Sequence, residues 1–293
     1  MRPDQTPETF FSPYLSINIR GELMQFDQPR IMGIINLTPD SFYEASRTGL
    51  GKVTETAGKM LADGAEILDI GAVSSRPGSR PVTEEEETDR LRPALAELRS
   101  AFPGAIISVD TFRSGVARMV VEEFGTDLIN DISAGEMDPE MYRTISRLKV
   151  PYIIMHMKGN PENMQDNPVY ENITDEVVRY FSQKVFLLKK AGITDIVIDP
   201  GFGFGKTMEH NYSLLSSLDA FRIFELPILV GLSRKSMIYK LFESTPEEAL
   251  NGTTAVHMAA LERGANILRV HDVQAAAEAI KVFMALKGRH TDR

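Results

Sequence analysis

IMGIIN (Ile31–Asn36) decides the fold, because it is a short apolar run that ends on a polar residue and is followed by a helix-like segment. This arrangement occurs eight times in the chain. The other runs are EILDIG (66–71), IISVD (106–110), DLIND (127–131), PYIIMH (151–156), DIVIDP (195–200), PILVGLS (227–233) and NILRVH (266–271). A run that is apolar along its length and polar at its end is typical of a buried parallel strand with one end in water. Such strands alternating with helices predict an α/β fold, a (β/α)8 TIM barrel whose chemistry lies at the carboxyl ends of the strands.

The composition indicates an acidic chain without cysteine, with 293 residues, 43% of them hydrophobic, and a net charge of −9. This length fits one barrel of about 250 residues with an extension. The lack of cysteine excludes disulfides, thiolate metal sites and a cysteine nucleophile, and it fits the reducing cytoplasm. Residues 1–30 show no secretory signal, and no apolar stretch reaches the roughly 20 residues that span a bilayer, so we expect no membrane partner. The negative charge argues against nucleic acid, although a few Lys and Arg can still make one cleft attractive to a small anion.

Residues 1–30 are expected to form an extension outside the barrel. The strand-like sequence LSINIRGELMQF (15–26) contains Arg20-Gly21, which suits a turn. We therefore predict a β-hairpin that closes the bottom of the barrel. Residues 31–287 form the predicted barrel, and the charged tail 288–293 is expected to be frayed.

Helices are predicted where apolar residues recur at helical spacing. Thr83–Leu98 opens with a Thr-x-x-Glu capping box. Asn172–Lys190 ends on basic residues, which suit the carboxyl end of the helix dipole. Pro246–Gly264 and Val273–Lys287 are rich in alanine, which allows close packing of helices.

Asn36 and the loop after the second run offer ligands for a metal and for an oxyanion. The side-chain oxygen of Asn36 is a neutral, hard ligand that can hold Mg²⁺ while substrate phosphates supply the other ligands. The sequence SSRPG (74–78) supplies hydroxyls and a guanidinium that can bind an oxyanion. Both segments are also rich in turn formers, so an ordinary turn and an ordinary loop stay open as alternatives.

Asp110, Asn130 and Asp199 end the third, fourth and sixth strands and would meet at one barrel mouth. Carboxylates accept hydrogen bonds from an N–H/NH₂ edge, whereas an amide both donates and accepts. The three side chains together predict a site for a flat, nitrogen-rich heterocycle with a 2-amino-pyrimidinone edge. Helix N-capping is the alternative role, for which Asp and Asn are suitable residue types.

GFGFGKT (201–207) looks like a phosphate-binding loop but lacks the required spacing. GxxxxGK[ST] would need a glycine at Pro200, and GxGxxG meets a Lys or a Met in place of its third glycine. We therefore reject a nucleotide-binding loop here. Phe202 or Phe204 can instead supply an aromatic wall.

The seventh and eighth strand ends carry the cations. SRKS (233–236) starts a predicted helix, where backbone N–H groups and two cations favour an anion or a carbonyl oxygen. Arg269 and His271 point the same way, because alternate strand residues share a face, and barrels often hold phosphate near strands seven and eight. Of the fifth strand, Met155 is expected to be apolar wall and His156 a structural histidine. Neither HExxH nor GxSxG occurs, so a catalytic zinc and a serine hydrolase are unsupported.

The motifs around these strand ends resemble those of one known family. They are NLTPDSF (36–42), DIGAVSSRPGS (69–79), SVDTF (108–112), INDIS (129–133), IMHMKG (154–159), DPGFGFGKT (199–207), GLSRKS (231–236) and RVHDV (269–273). In order and spacing they are similar to those of the dihydropteroate synthases, the sulfonamide-target enzymes of folate biosynthesis. The resemblance implies a cytoplasmic transferase that condenses (7,8-dihydropterin-6-yl)methyl diphosphate with 4-aminobenzoate, giving 7,8-dihydropteroate and diphosphate with Mg²⁺. It also implies a homodimer formed through helices remote from the active mouth.

The resemblance further assigns a role to individual positions. The implied pterin contacts are Asp110, Asn130, Asp199 and Lys235, with Met155 and Phe204 as pocket wall. The implied diphosphate contacts are Ser75, Arg269 and His271, and the metal ligand is Asn36. The implied 4-aminobenzoate contacts are Phe42, Arg76, Pro77 and Ser236. Asp110, Lys235, Arg269 and His271 are expected to act in catalysis.

Two departures from the family pattern lie in the first two loops. Ser75 stands where the family commonly has Thr, and the hydroxyl is retained. Tyr43-Glu44-Ala45-Ser46 stands where Ser-Asp-Gly-Gly is common, so the acid is longer and the glycines are absent.

The expected reaction is a dissociative, S_N1-like transfer, because ionisation of the C–O bond leaves a cationic pterin methylene that buried Asp110 can stabilise. Two other functions stay open at this stage. One is a pterin-binding methyltransferase barrel, and the other is a non-catalytic pterin-binding paralogue. SSRPG and Lys235-Ser236 argue against the first, and Asn36, Arg269 and His271 argue against the second.

Overall fold

The computed structural model describes residues 15–37, 47–74, 80–159, 164 and 168–288, with the side chains of 47–50 left aside. Phe42, Ser75, Arg76 and Pro77, and the departures at 43–46, lie outside the described residues. The strands are β1 Ser16–Ile19, β2 Glu22–Gln25, β3 Arg30–Asn36, β4 Ile67–Gly71, β5 Ile106–Asp110, β6 Leu128–Asp131, β7 Tyr152–Met155, β8 Ile196–Asp199, β9 Leu229–Val230 and β10 Ile267–Val270.

Strands β3 to β10 form one parallel sheet of eight strands, in the order β8-β7-β6-β5-β4-β3-β10-β9. The two outer strands approach each other, because Ile198 of β8 bridges Ile228 just before β9 and its N–H donates to the carbonyl of Pro227 over 3.0 Å. The sheet is thus nearly closed into a ring, and the predicted TIM barrel is confirmed. The seventh predicted run contributes only the two strand residues of β9.

Helices surround this barrel. They are α1 Arg47–Ala62, α2 Glu84–Ala101, α3 Ser114–Phe124, α4 Met141–Leu148, α5 Ile173–Lys190, α6 Met208–Ser216, α7 Ser236–Tyr239, α8 Leu250–Glu262 and α9 Val273–Leu286, with 3₁₀ turns at Leu218–Phe224 and Pro246–Glu248. The helix predicted over 246–264 is therefore two elements, a 3₁₀ turn and α8, which meet at Ala249. None of the helices in the described part of the chain has the length and apolar character needed to cross a membrane.

The predicted helix starts at Thr83 and Asn172 are confirmed. The Thr83 hydroxyl accepts from the N–H of Glu86, and the Glu86 carboxylate accepts from the N–H of Thr83, both over 3.2 Å. The Asn172 side chain accepts from the N–H of Thr174 over 3.1 Å. Each cap supplies an acceptor for helix N–H groups that have no partner within the helix.

The hairpin of β1 and β2 closes the amino-terminal end of the barrel. Its turn residues Arg20 and Gly21 have φ of 54° and 89°, the left-handed conformation that two-residue hairpin turns favour. Ile17 and Ile19 are buried and pack on residues near the amino-terminal ends of the barrel strands: Met32, Ile67, Leu128, Ile153, Val197, Leu229 and Ile267. The Arg20 guanidinium forms an ion pair with buried Asp127, which fixes the hairpin to the strand that follows α3. The predicted closure of the barrel bottom is thus observed.

Ile17→Ala is expected to lower the free energy of unfolding by about 2–5 kcal/mol, because it leaves a cavity beneath the barrel. Ile17 is only 1% exposed. Leu23→Ala is the matched control on the same hairpin, since Leu23 is 65% exposed, and its effect is expected within about 0.5 kcal/mol. Urea denaturation measures both. Equal effects of the two substitutions would contradict a hairpin that seals the core.

Candidate active site

The carboxyl ends of β4, β5, β6 and β10 bring a buried polar cluster together around Asp69. The carboxylate of Asp69 is fully buried and accepts from the Ser108 hydroxyl over 2.6 Å. It also accepts from Asn130 Nδ2 over 3.1 Å and from Arg269 Nε over 2.6 Å. Burying a charge is costly unless it is paired and hydrogen-bonded, and this carboxylate meets both conditions. Asp69 therefore links two of the predicted site residues.

Asp69 is the site residue that sequence reasoning missed. The prediction of site residues rests on the polar ends of the strands, whereas Asp69 lies two residues before the end of β4. The available signal was the acid itself, since a charge within an otherwise apolar buried strand requires a partner. Its partner Arg269 lies inside the eighth run in the same way.

Asp110 ends β5 and lies beside the same guanidinium, with Arg269 Nη2 donating to Asp110 Oδ2 over 3.0 Å. Burial raises the pKa of Asp110 to about 7, against the opposing effect of Arg269 and with a further contribution from the Asp69 charge. The structure thus places Arg269 between two carboxylates, where it compensates part of their charge. The role of Arg269 toward diphosphate stays a prediction.

Asn130 is the penultimate residue of β6, and Asp131 ends the strand. The two side chains point to opposite sides, as alternation along a strand requires. Asp131 accepts from the N–H of Ser133 over 2.7 Å and from the Tyr152 hydroxyl over 2.5 Å, outside the cluster around Asp69. Because the Asp69 carboxylate can only accept here, Asn130 must turn Nδ2 toward it and keep its oxygen for another donor.

The capping alternative does not apply to Asp110 or Asn130. The N-cap position of α3 is occupied by Arg113, and that of α4 by Glu140. Both predicted residues instead lie at the barrel mouth with hydrogen bonds to the central cluster.

Asp199 and Lys235 form the second charged part of the mouth. Asp199 ends β8 and accepts from the N–H of Gly201 over 2.8 Å. Burial raises the pKa of Asp199, and the positive charge of Lys235 opposes that shift. Burial likewise lowers the pKa of Lys235 to about 8, although the Asp199 carboxylate acts in the other direction. Each of the two groups thus shifts the pKa of the other in the direction that favours the charged form.

An apolar wall adjoins this pair. Met155, at the end of β7, is buried with Ile132, Met157 and Met164, and Phe112 and Phe204 pack against this cluster. The Lys235 ammonium lies 4.8 Å from the centre of the Phe204 ring. Met155 is in register with Asp199, and Phe204 lies beneath Lys235, so both border the charged pair, while their contact with a pterin stays a prediction.

The structure corrects the expectation that both cations of SRKS face an anion. Arg234 forms a bidentate ion pair with Asp272, with Nε to Oδ2 at 2.7 Å and Nη2 to Oδ1 at 2.9 Å. Its Nη1 donates to the carbonyl oxygens of Pro246 and Glu247 over 2.8 and 2.6 Å. Arg234 has a left-handed φ of 54°, which separates its direction from that of Lys235. Arg234 thus ties surrounding loops together, and Lys235 alone enters the site.

His271, Ser236 and Asn36 lie around the opening. His271 follows β10 and is exposed, and its Nδ1 lies 3.2 Å from the buried Ser233 hydroxyl. Ser236 is the exposed first residue of the single-turn helix α7. Asn36 ends β3 in register with Gly71 of β4, which is in register with Asp110 of β5.

Gly71 has no side chain, so no Cβ separates the side chains of the strands on either side of β4. A Cβ there would lie 3.5 Å from Asn36 Oδ1 and 3.9 Å from Asp110 Oδ2. Two side-chain oxygens, one from each strand that flanks β4, therefore lie near Gly71 at the mouth. Among the described residues, no group of three or more His, Cys, Asp or Glu is placed to hold a metal ion.

A barrel with this arrangement at its mouth matches a known class of enzymes. Residues 32–271 match a protein-family model described as pterin binding enzyme. The dihydropteroate synthase of Escherichia coli K12 is 40% identical over 269 residues, which cover 91% of this chain and 94% of that protein.

Solved structures agree with this match. The Yersinia pestis dihydropteroate synthase in complex with a sulfonamide drug superposes with a TM-score of 0.88 at 38% identity, covering 94% of this chain and 100% of that one. The Xanthomonas albilineans dihydropteroate synthase with 4-aminobenzoic acid superposes with a TM-score of 0.86 at 37% identity, covering 94% and 99%. The chain belongs to the dihydropteroate synthase family, a family of transferases. The methyltransferase and the non-catalytic alternatives are not favoured.

Proposed function

We propose that this barrel joins the methylene carbon of a dihydropterin diphosphate to the amino nitrogen of 4-aminobenzoate, releasing diphosphate. The observation that carries the proposal is the pattern of acceptors at the mouth. The Asp110 and Asp199 carboxylates and the outward oxygen of Asn130 can accept from the N–H groups of a pterin, while Lys235 can donate to its carbonyl oxygen. Met155 and Phe204 offer apolar surface to its flat ring.

The reaction we infer is dissociative. The C–O bond to the diphosphate breaks first, and both electrons leave with the diphosphate oxygen. Positive charge then spreads from the methylene into the pterin ring, next to the Asp110 carboxylate. The neutral amine of 4-aminobenzoate attacks this carbon and loses a proton afterwards, so no general base is required. Arg269 and His271 would stabilise the departing diphosphate.

A positional isotope experiment tests this order of bond changes. Pterin diphosphate labelled with ¹⁸O in the bridging C–O–P position is incubated with the enzyme in the absence of 4-aminobenzoate. If the bond ionises first, the label moves into the non-bridging oxygens of recovered substrate. A label that stays in place, together with a carbon isotope effect typical of concerted displacement, would overturn the dissociative mechanism.

Mg²⁺ suits the chemistry of the two oxygens near Gly71, which are Asn36 Oδ1 and Asp110 Oδ2. An amide oxygen and a carboxylate oxygen are hard ligands of the kind that Mg²⁺ prefers, and substrate phosphates ordinarily complete its shell. Asn36 would hold the ion, and Asp110 lies close enough to influence it. When bound, the ion supplies positive charge that stabilises the leaving diphosphate.

Asn36→Ala is expected to raise the Mg²⁺ concentration for half-maximal rate by about tenfold or more, because it removes the protein's ligand. The measurement is a Mg²⁺ titration of diphosphate release. Asn18→Ala is a matched control, since Asn18 is exposed in the β1–β2 hairpin at the opposite end of the barrel. An unchanged Mg²⁺ requirement in Asn36→Ala would exclude Asn36 as the ligand.

The remaining family properties stay proposals. Phe42, Arg76, Pro77 and Ser236 would form the 4-aminobenzoate pocket, and Ser75 would contact the diphosphate. We also propose that the protein forms a homodimer through helices remote from the mouth and works in the cytoplasm on small molecules.

Purified protein, Mg²⁺, pterin diphosphate and 4-aminobenzoate provide the direct test of the proposed function. Dihydropteroate and diphosphate are expected in equal amounts, measured by chromatography and a diphosphate assay. Pterin binding without product would favour a non-catalytic pterin-binding protein. Methyl transfer from a methyl-folate to a corrinoid protein, without condensation, would favour the methyltransferase barrel.

A further inference from the structure

The loop between β8 and α6, residues 200–206, is called the glycine loop here. It is the GFGFG segment that does not fit a nucleotide-binding motif, and its glycines are left-handed, with φ of 72° at Gly201 and 61° at Gly205. A Cβ on Gly201 would collide with the carbonyl oxygen of His156, and one on Gly205 would approach that of Lys158. The glycine loop therefore packs closely against the residues that follow β7.

Lys206 fastens the glycine loop to that chain from the inside. The side chain is buried, with 3% of the residue exposed. Its Nζ donates to the carbonyl oxygens of Gly201 over 2.8 Å, Phe204 over 3.0 Å and His156 over 3.2 Å. It also lies 3.0 Å from His156 Nδ1. One amino group, whose pKa burial holds well below the usual lysine range, thus joins the glycine loop to one residue after β7.

His156 is suited to be an acceptor for this amino group. It is buried, and burial and the nearby positive charge of Lys206 lower the pKa of His156 to about 2. The imidazole is therefore neutral at any working pH. Lys206 Nζ has at most three hydrogens for these four acceptors, so it shares one of them between a carbonyl oxygen and His156 Nδ1 in the tautomer whose ring proton is on Nε2.

The other side of the glycine loop contacts Lys235. The Lys235 ammonium donates to the carbonyl oxygen of Phe202 and lies over the Phe204 ring. A Cβ on Gly203 would lie 3.3 Å from Lys235 Cδ, so the lysine stem runs directly along the loop. Any movement of the glycine loop consequently moves the surface that holds Lys235.

We propose that Lys206, fastened by His156, is a positioning residue that holds the glycine loop and thereby keeps Lys235 in the pterin pocket. Lys206 contacts no substrate in this role. The proposal rests on the proposed function of Lys235 in pterin binding. It gives a use to the GFGFGKT sequence and to His156, neither of which the reaction itself requires.

A positioning role differs from a merely stabilising one in what its removal changes. Lys206→Met leaves the carbonyl oxygens of Gly201, Phe204 and His156 without their shared donor, and leaving buried acceptors unsatisfied is costly. The variant is therefore expected to be less stable than the wild type, and the glycine loop loses its internal fastening. Because a misplacement of about 1 Å can cost about 10²-fold, we expect Lys206→Met to lower kcat/KM for pterin diphosphate by about tenfold or more.

The experiment compares four substitutions with the wild type, two at lysines and two at His156. Lys206→Met is the main variant, and Lys158→Met is the matched control, because Lys158 bonds to Val169 and Glu176 outside the glycine loop. Affinity for 6-hydroxymethylpterin is measured by calorimetry, and KM is measured separately for both substrates. Lys206→Met is expected to bind the pterin at least about tenfold more weakly and to melt at a lower temperature, with KM for 4-aminobenzoate close to wild type. Lys158→Met is expected to behave as wild type.

His156→Asn and His156→Leu keep the test decisive if Lys206→Met does not fold. Asparagine can place an oxygen acceptor near the position of Nδ1, whereas leucine offers none. Pterin affinity should be retained in His156→Asn and reduced in His156→Leu. Wild-type pterin affinity in folded Lys206→Met, or equal affinities in the two His156 variants, would overturn the proposal. If wild-type protein itself bound no pterin, the proposed function would fail instead.

Discussion

Asp110→Asn is expected to lower kcat by about 10²–10³, because it removes the negative charge closest to the developing pterin cation. The substitution keeps the size of the side chain and an oxygen that can still accept from Arg269. The fold should therefore remain intact, as circular dichroism and the melting temperature would show. Steady-state diphosphate release measures the rate. An unchanged kcat would exclude Asp110 from stabilising the transition state.

The pH dependence of the wild type provides a second measurement on the same residue. Burial raises the pKa of Asp110 to about 7, so the carboxyl group is protonated and neutral below that pH. Only the ionised form can stabilise a cation, so kcat/KM should rise with pH up to about 7 and then level off. Asp110→Asn should lack this acidic limb. The same limb in both proteins would assign it to the substrate or to another group.

Asp69→Asn is expected to lower the free energy of unfolding by about 3–5 kcal/mol, because Arg269 loses its fully buried ion-pair partner. The amide can keep its oxygen toward Asn130 and Arg269 and turn its nitrogen to the Ser108 hydroxyl, so the substitution removes the negative charge rather than the hydrogen bonds. Arg269 is then held by Asp110 as its one remaining carboxylate partner in the described cluster. Pterin affinity is expected to fall along with stability, and calorimetry and urea denaturation measure the two effects separately.

Asp131→Asn is the control for this second prediction. Asp131 is as deeply buried as Asp69, but its hydrogen bonds go to Ser133, Gly135 and Tyr152 on the other side of the barrel wall. It should lose stability and keep pterin affinity. Equal losses of pterin affinity in both variants would show that Asp69 acts only through stability.

The sequence predicts the barrel well, because each buried strand carries its own apolar run and its own polar end. It also predicts the hairpin, since LSINIRGELMQF contains both alternating strands and the residues of its turn. The seventh strand is the weakest prediction. Its run is seven residues long, yet only Leu229 and Val230 pair as strand, since register and neighbours decide how far pairing extends.

The site is predicted less completely, because one-residue differences decide which side chain faces the mouth. In DLIND, Asn130 faces the cluster around Asp69 and Asp131 faces away, although either could end the strand in water. In SRKS, a left-handed backbone at Arg234 sends one cation to Asp272 and leaves Lys235 for the pocket. Residue type alone predicts neither of these side-chain directions. Phe42, Ser75, Arg76 and Pro77 stay predictions of the sequence.

The hairpin beneath the barrel has a kinetic consequence. With Ile17 and Ile19 filling the amino-terminal end, reactants and products must all diffuse through the opening at the opposite end. In the proposed site the pterin would lie deeper, beside Asp69 and Asn130, so its entry should precede that of the arylamine. Product inhibition patterns should therefore show an ordered sequence, in which a bound arylamine slows the exchange of the pterin beneath it.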